Sequence, residues 1–117
     1  MIKTICFDID NVICTTKKNF YKKSTQKKKN INLINKLYDN GYFIKIFTAR
    51  GMGTFNEKIN LAKKEHKKNT INQLNKWGLK YHKLYFGKPS FDLYIDDKNL
   101  GFKSNWRKLL KYKLLIK

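Results

Sequence analysis

Apolar and polar positions follow two rhythms along this chain. Nearly continuous apolar runs occur at TICFDI (4–9), YFIKIFT (42–48), KLYF (83–86) and FDLYID (91–96). Runs of this length and density predict short strands buried in a mostly parallel sheet. Between them the period changes. Ile31, Ile34, Leu37 and Tyr38 recur at helical spacing within about 25–40, and Gly41 supplies a stop. Thr54-Phe-Asn-Glu57 has the form of a capping box and predicts a helix, with a break, from there to Trp77 before Gly78. Residues 105–117 carry Trp106, Leu109, Leu110, Leu114 and Leu115, a final helix lying on the sheet. Residues 10–24 have no helical period and read as a loop or small flap. The order strand, helix, strand, helix, strand, strand, helix predicts one α/β domain over 1–117, a three-layer, Rossmann-like sheet flanked by helices.

Composition adds little against this. The 117 residues suffice for one core, and a 41% hydrophobic fraction argues against disorder. No apolar run is long enough to span a bilayer, and MIKTICFDID acquires acid too early for a signal peptide, so a cytoplasmic protein without membrane insertion is expected. Cys6 and Cys14 match no zinc or redox spacing. The net charge of +19 invites a nucleic-acid reading. However, only Arg50 and Arg107 among the 27 basic residues are arginine, whose planar fork base recognition favours. Lys, Asn and Ile dominate the chain and share A/T-rich codons, so genome composition can supply much of the charge. Non-specific attraction for polyanions remains an expectation.

The polar residues just past each strand change the picture more. Asp8 and Asp10 follow the first, Thr48 and Arg50 the second, Lys88 stands between the third and fourth, and Asp96-Asp97 end the last. In a parallel sheet these positions share one edge, where ligands bind. Any one of them alone is ordinary. Together they hold four of the chain's eight acids. Each like-charged pair a few ångströms apart costs roughly 4 kcal/mol at an effective dielectric near 20. A divalent cation relieves that repulsion, and hard carboxylate oxygens suit Mg²⁺. With Lys88 and Arg50 included the charges sum to zero, an arrangement suited to phosphoryl transfer.

FDIDN, IFTAR, GKP and YIDD, in this order, resemble the four motifs of the haloacid dehalogenase-like phosphatases. More narrowly, IFTARGMGTF and LYFGKPSFDLYIDDK resemble the small capsule biosynthesis phosphatases. The resemblance covers residues 3 to about 100. It implies that Asp8 is the nucleophile, Asp10 the general acid/base, and Thr48 and Lys88 the phosphate-binding pair. Asp8, Asp10, Asp97 and Asp96 would hold Mg²⁺, and Arg50 and Asn11 become candidate substrate contacts. The implied activity is hydrolysis of a phosphomonoester through an aspartyl-phosphate, on a sugar phosphate of surface polysaccharide synthesis. The family commonly has a glycine where this chain has Asn11, a residue that also tolerates unusual backbone angles.

Other readings fit less well. A phosphate-receiver domain carries its acid pair after the first strand and its phosphoacceptor after a middle one, the reverse of the order here. Gly87-Lys88-Pro89 lacks the Ser/Thr of a nucleotide-binding loop. A non-catalytic phosphate-binding module need not keep both Asp8 and Asp10. A nucleotide or nucleic-acid-end phosphatase would use the same site and exploit the charge, and stands as the enzyme alternative. About 15 residues separate Asp10 from the first helix, too few for a cap domain. A large substrate or a second subunit of a homo-oligomer would then have to close the site.

Overall fold

The computed structural model describes residues 2–115. Three strands form a parallel sheet in the order β1 (Thr4–Phe7), β4 (Phe43–Thr48), β5 (Lys83–Phe86). Between β1 and β4 lie a two-stranded antiparallel flap, β2 (Cys14–Thr15) with β3 (Thr25–Gln26), and helix α1 (Lys28–Asp39). Helix α2 (Ile59–Lys76) connects β4 to β5, and α3 (Trp106–Leu114) ends the described chain. The chain is thus an α/β protein, and no described helix is long and apolar enough to cross a membrane.

The apolar stripes explain the packing. Ile31, Ile34 and Leu37 of α1, Leu74 of α2, and Trp106 and Leu110 of α3 are buried in one cluster with Phe7, Ile44 and Ile46 of the sheet. Register puts Phe7 beside Ile46 and Ile44 beside Ile5, so these side chains share a face. Residues of opposite parity, including Thr4, Cys6, Lys83 and Tyr85, are exposed on the other face. Both α1 and α2 stop by the same device. Gly41 (φ 93°) and Gly78 (φ 71°) turn left-handed, and the amides of Tyr42 and Leu79 reach back to the carbonyls of Leu37 and Leu74.

Two expected elements differ. The helix does not begin at the Thr54 capping box but at Ile59. Asn56 (φ 53°) and Glu57 (φ 65°) are both left-handed, which no α-helix can pass through. The Glu57 carboxylate accepts from the Ser90 amide (3.3 Å) instead of capping a helix. The run Phe91–Asp96 is not a strand: Leu93 and Ile95 are 78% and 87% exposed, and no sheet edge pairs with them. An apolar run supplies strand propensity, whereas a strand also needs a neighbour for its backbone groups. The final helix stops at Leu114, and residues 116 and 117 of its expected span lie outside the described residues.

Leu37→Ala should cost about 2–5 kcal/mol, because Leu37 is fully buried between α1 and the sheet. Ile95→Ser without added metal should stay within about 0.5 kcal/mol. Urea denaturation of both variants measures the contrast. A large loss for Ile95→Ser would mean that the segment is packed.

Candidate active site at the carboxyl edge of the sheet

Pairing between β1 and β4 ends at Phe7 and Ile46. The next residue, Asp8, therefore emerges at the strand end. Ile9 and Ile13 are fully buried and pin the following turn to the core. The amides of Val12 and Ile13 both bond to the Ile9 carbonyl (3.1 and 2.8 Å). Asn11 sits at φ 68° within this turn, and its side chain accepts from the Thr16 amide (3.2 Å). With the intervening isoleucine directed inward, Asp8 and Asp10 keep side-chain exposures of 32% and 21%.

Asp10 is held from every side. Arg50 Nε (3.1 Å) donates to its Oδ2, while Arg50 Nη2 (3.0 Å) and the Thr16 hydroxyl (2.6 Å) donate to Oδ1. Arg50 itself is 1% exposed. Its Nη1 donates to Thr70 Oγ1 (3.1 Å) and Gln73 Oε1 (2.6 Å) on α2, and the Tyr21 ring stacks 5.0 Å from its guanidinium carbon. Gln73 in turn donates to the Tyr21 carbonyl (2.5 Å). Arg50 is thus turned inward, and any influence on substrate would pass through Asp10. The sequence offered no sign of Thr16, Tyr21 or Gln73, and only the three-residue spacing of Thr70 and Gln73 put them on one side of a helix.

Asp8 has a looser setting. Its Oδ1 accepts its neighbour's amide, from Ile9 (2.9 Å), and Lys88 Nζ lies 3.5 Å from Oδ2. Burial pushes its carboxyl above the ordinary value, against the opposing pull of Lys88 and the Ile9 amide. Lys88 is placed by its own amide, which donates to the Thr48 carbonyl (3.1 Å) at the end of β4. Its ammonium also lies over the rings of Phe91 (5.5 Å) and Tyr94 (5.4 Å). Thr48 is fully buried. Its hydroxyl oxygen accepts the Arg50 amide (3.1 Å), which leaves its own hydrogen to donate.

Asp8, Asp10, Asn11, Thr48, Arg50 and Lys88 are therefore gathered at one edge. Asp96 and Asp97 are exposed in the segment after Lys88. Asp96 accepts from the Lys98 amide (2.8 Å) and the Tyr94 hydroxyl (3.0 Å), and these bonds hold its carboxyl below the ordinary value. Tyr94 thus touches both Lys88 and Asp96. Among the described residues no group of three or more His, Cys, Asp or Glu side chains stands close enough to hold a metal. Asp8 is only loosely held, by the Ile9 amide and Lys88, but the oxygens of Asp10 are largely committed, so this arrangement by itself does not fit a metal centre. His66 stands on α2 near the flap, 5.0 Å from the Tyr21 ring, and desolvation lowers its pKa.

No known family model matches this chain, and no curated protein is similar to it. A crystal structure of a protein from Vibrio cholerae has a similar fold. The TM-score is 0.75 over 97% of this chain and 99% of that one, with 22% sequence identity.

Two outcomes follow from the geometry. Arg50→Gln leaves Asp10 without its cation, a loss of about 3–5 kcal/mol for a fully buried pair. The partial exposure of Asp10 puts the expected loss at the lower end, and Asp10→Asn added to it should restore part, as read by urea denaturation. A second outcome concerns pH. Since folding raises the Asp8 pKa, the folded state holds its proton more tightly than the unfolded state. This contribution is full below the unfolded pKa and is lost as pH rises through the folded one. Asp8→Asn should therefore flatten that part of the stability profile and hold or raise stability at neutral pH. A variant with the wild-type profile would assign the dependence elsewhere.

Proposed function

We propose that this chain is a phosphomonoester hydrolase of the haloacid dehalogenase-like kind, acting through Asp8. The observation that carries the reading is the meeting of an accessible carboxylate, Asp8, with Lys88 3.5 Å away. It occurs at the sheet edge where Thr48 ends β4 and Arg50 fixes Asp10. In this reading a phosphate group takes the Lys88 ammonium as donor, with the Thr48 hydroxyl, fully buried in this structure, as a second donor once uncovered. An oxygen of Asp8 attacks phosphorus in line, forming an aspartyl-phosphate as the ester P–O bond breaks. In the role that the motif resemblance gives it, Asp10 passes a proton to the leaving alkoxide. It then takes a proton from the water that attacks phosphorus, releasing inorganic phosphate and restoring Asp8. The clamp on Asp10 leaves Oδ2 with the single donor Arg50 Nε, and this is the oxygen free to face the leaving group.

Mg²⁺ belongs to the proposal as a cofactor neutralising charge, and Asp8, Asp10, Asp96 and Asp97 would hold it only after a rearrangement in which Asp10 gives up part of its clamp. The last two would have to come to the edge. The finer three-layer fold belongs to the same proposal and would take Phe91–Asp96, unpaired in this structure, as a further strand beside β1. Two features support that placement. Among the described residues one side of β1 has no neighbour in the sheet, and Leu93 and Ile95 expose apolar surface that a sheet would cover.

A sugar phosphate of polysaccharide synthesis, in the cytoplasm, is the substrate that the motif resemblance favours. The two-stranded flap is too small to close over a ligand, so a second copy of the chain would have to exclude water there. A nucleotide or nucleic-acid end is the second reading, favoured by a basic and aromatic cleft tied to the loop that carries Asp10 (below).

Inorganic phosphate release should be measured on sugar phosphates, nucleotides and 3′-phosphorylated oligonucleotides with Mg²⁺. Release is expected, with Asp8→Asn inactive although folded. Activity of that variant within about tenfold of wild type would remove Asp8 as nucleophile. Mg²⁺ at millimolar concentration should also raise the melting temperature, by binding only the folded state, and Asp97→Ala should abolish most of the rise. No shift in the wild type would remove the metal from the proposal.

A further inference from the structure

A cleft of about 430 Å³ lies where the start of α1 meets the start of α3, a size that small ligands occupy. Five cations line it, Lys27, Lys28, Lys29, Lys103 and Arg107, and no acid does. Such a group repels itself. Two of its members are nonetheless tied in place. Lys27 Nζ donates to the Asn11 carbonyl (3.1 Å) and lies 5.9 Å from the Phe102 ring centre. Arg107 Nη1 donates to Asn30 Oδ1 (2.5 Å). Asn30 is buried, and its amide group donates to the Val12 carbonyl (2.6 Å) in the turn that follows Asp10. The cleft is therefore joined to the loop that presents Asp10. Beside the cations, Phe102 is 56% exposed, and its inner side packs against the buried Trp106 with ring centres 5.8 Å apart.

We infer that this cleft binds a nucleotide, its phosphates among the lysines and Arg107 and its base against the exposed part of the Phe102 ring. Fixed cations without a counter-charge call for an anion. An exposed aromatic ring backed by a second ring is a platform for a flat base. A sugar phosphate would satisfy the cations and leave the ring uncovered. The inference stands whether or not Asp8 transfers phosphate, because it concerns binding alone. The face of α2 carrying Lys63, Lys64, Lys67 and Lys68 lines a more open hollow without an aromatic residue. It serves as an internal control for attraction by charge alone.

The test is titration calorimetry of the full chain with ADP and with pyrophosphate at about 150 mM salt, where weak surface attraction is largely screened. Phe102→Ala should weaken ADP about tenfold and leave pyrophosphate unchanged, since stacking is lost and charge is not. Lys28→Gln with Lys103→Gln should weaken both ligands, and Lys63→Gln with Lys67→Gln should weaken neither. All the substituted residues are exposed, so circular dichroism should show the wild-type fold in each variant. The inference is overturned if ADP does not bind, if Phe102→Ala leaves ADP unchanged, or if the α2 variant loses as much as the cleft variant.

Discussion

The Arg50–Asp10 pair is the contact on which the rest of the site depends. A buried guanidinium is tolerated only when its donors are met, and here Nε, Nη1 and Nη2 all have acceptors. Those acceptors come from separate parts of the chain: Asp10 from the loop after β1, and Thr70 and Gln73 from α2. The flap contributes the Tyr21 ring and the carbonyl that Gln73 grips. One side chain at the end of β4 thus fixes the loop, the flap and the helix relative to each other. The desolvation cost of such a pair offsets much of its attraction, so its contribution is better read as geometry than as stability. It sets where Asp10 points.

Two identical residues, two positions apart, are differentiated by that geometry. Asp10 has Arg50 and Thr16 on its oxygens, a setting that fixes orientation. Asp8 has one local amide and a lysine at 3.5 Å, and burial raises its pKa. A carboxylate with few fixed partners gives up less when it meets an electrophile. The same reasoning explains why both acids can stand beside a core. Each has its own cation, Arg50 from just after β4 and Lys88 from just after β5, so the repulsion between them is answered locally before any ligand arrives.

Much of this was legible in the sequence because it depends on local order. Strand runs and helical periods located β1, β4, β5 and α1, and reading off the residue after each strand gathered Asp8, Asp10, Thr48, Arg50 and Lys88. The direction of Arg50 was not legible: a charged residue after a strand reads equally as facing substrate or core, and only Thr70, Gln73 and Tyr21 decide between them. The Thr54–Glu57 box failed for a similar reason, since Ser90, 33 residues away, takes the carboxylate that a helix start would use. Phe91–Asp96 has the composition of a strand and no partner in the sheet, and pairing is a property of the whole fold.

The charge of the chain imposes a last constraint. Eight acids against 27 cations leave at least nineteen cations without a matching carboxylate. Such an excess attracts every polyanion, with a strength that falls steeply with salt. Attraction of this kind cannot select a ligand, because lysines on the exposed face of α2 provide it as readily as lysines near the site. Selection has to come from groups that are fixed and from surfaces that are not charged. By that criterion the informative cations are Lys88, held over two rings beside Asp8, Arg107, held by Asn30, and Lys27, held by the Asn11 carbonyl. Lys88 stands beside Asp8, and Lys27 and Arg107 are tied through Asn11 and Asn30 to the loop that carries Asp10, so the fixed cations differ from the rest of the basic surface in being joined to the site.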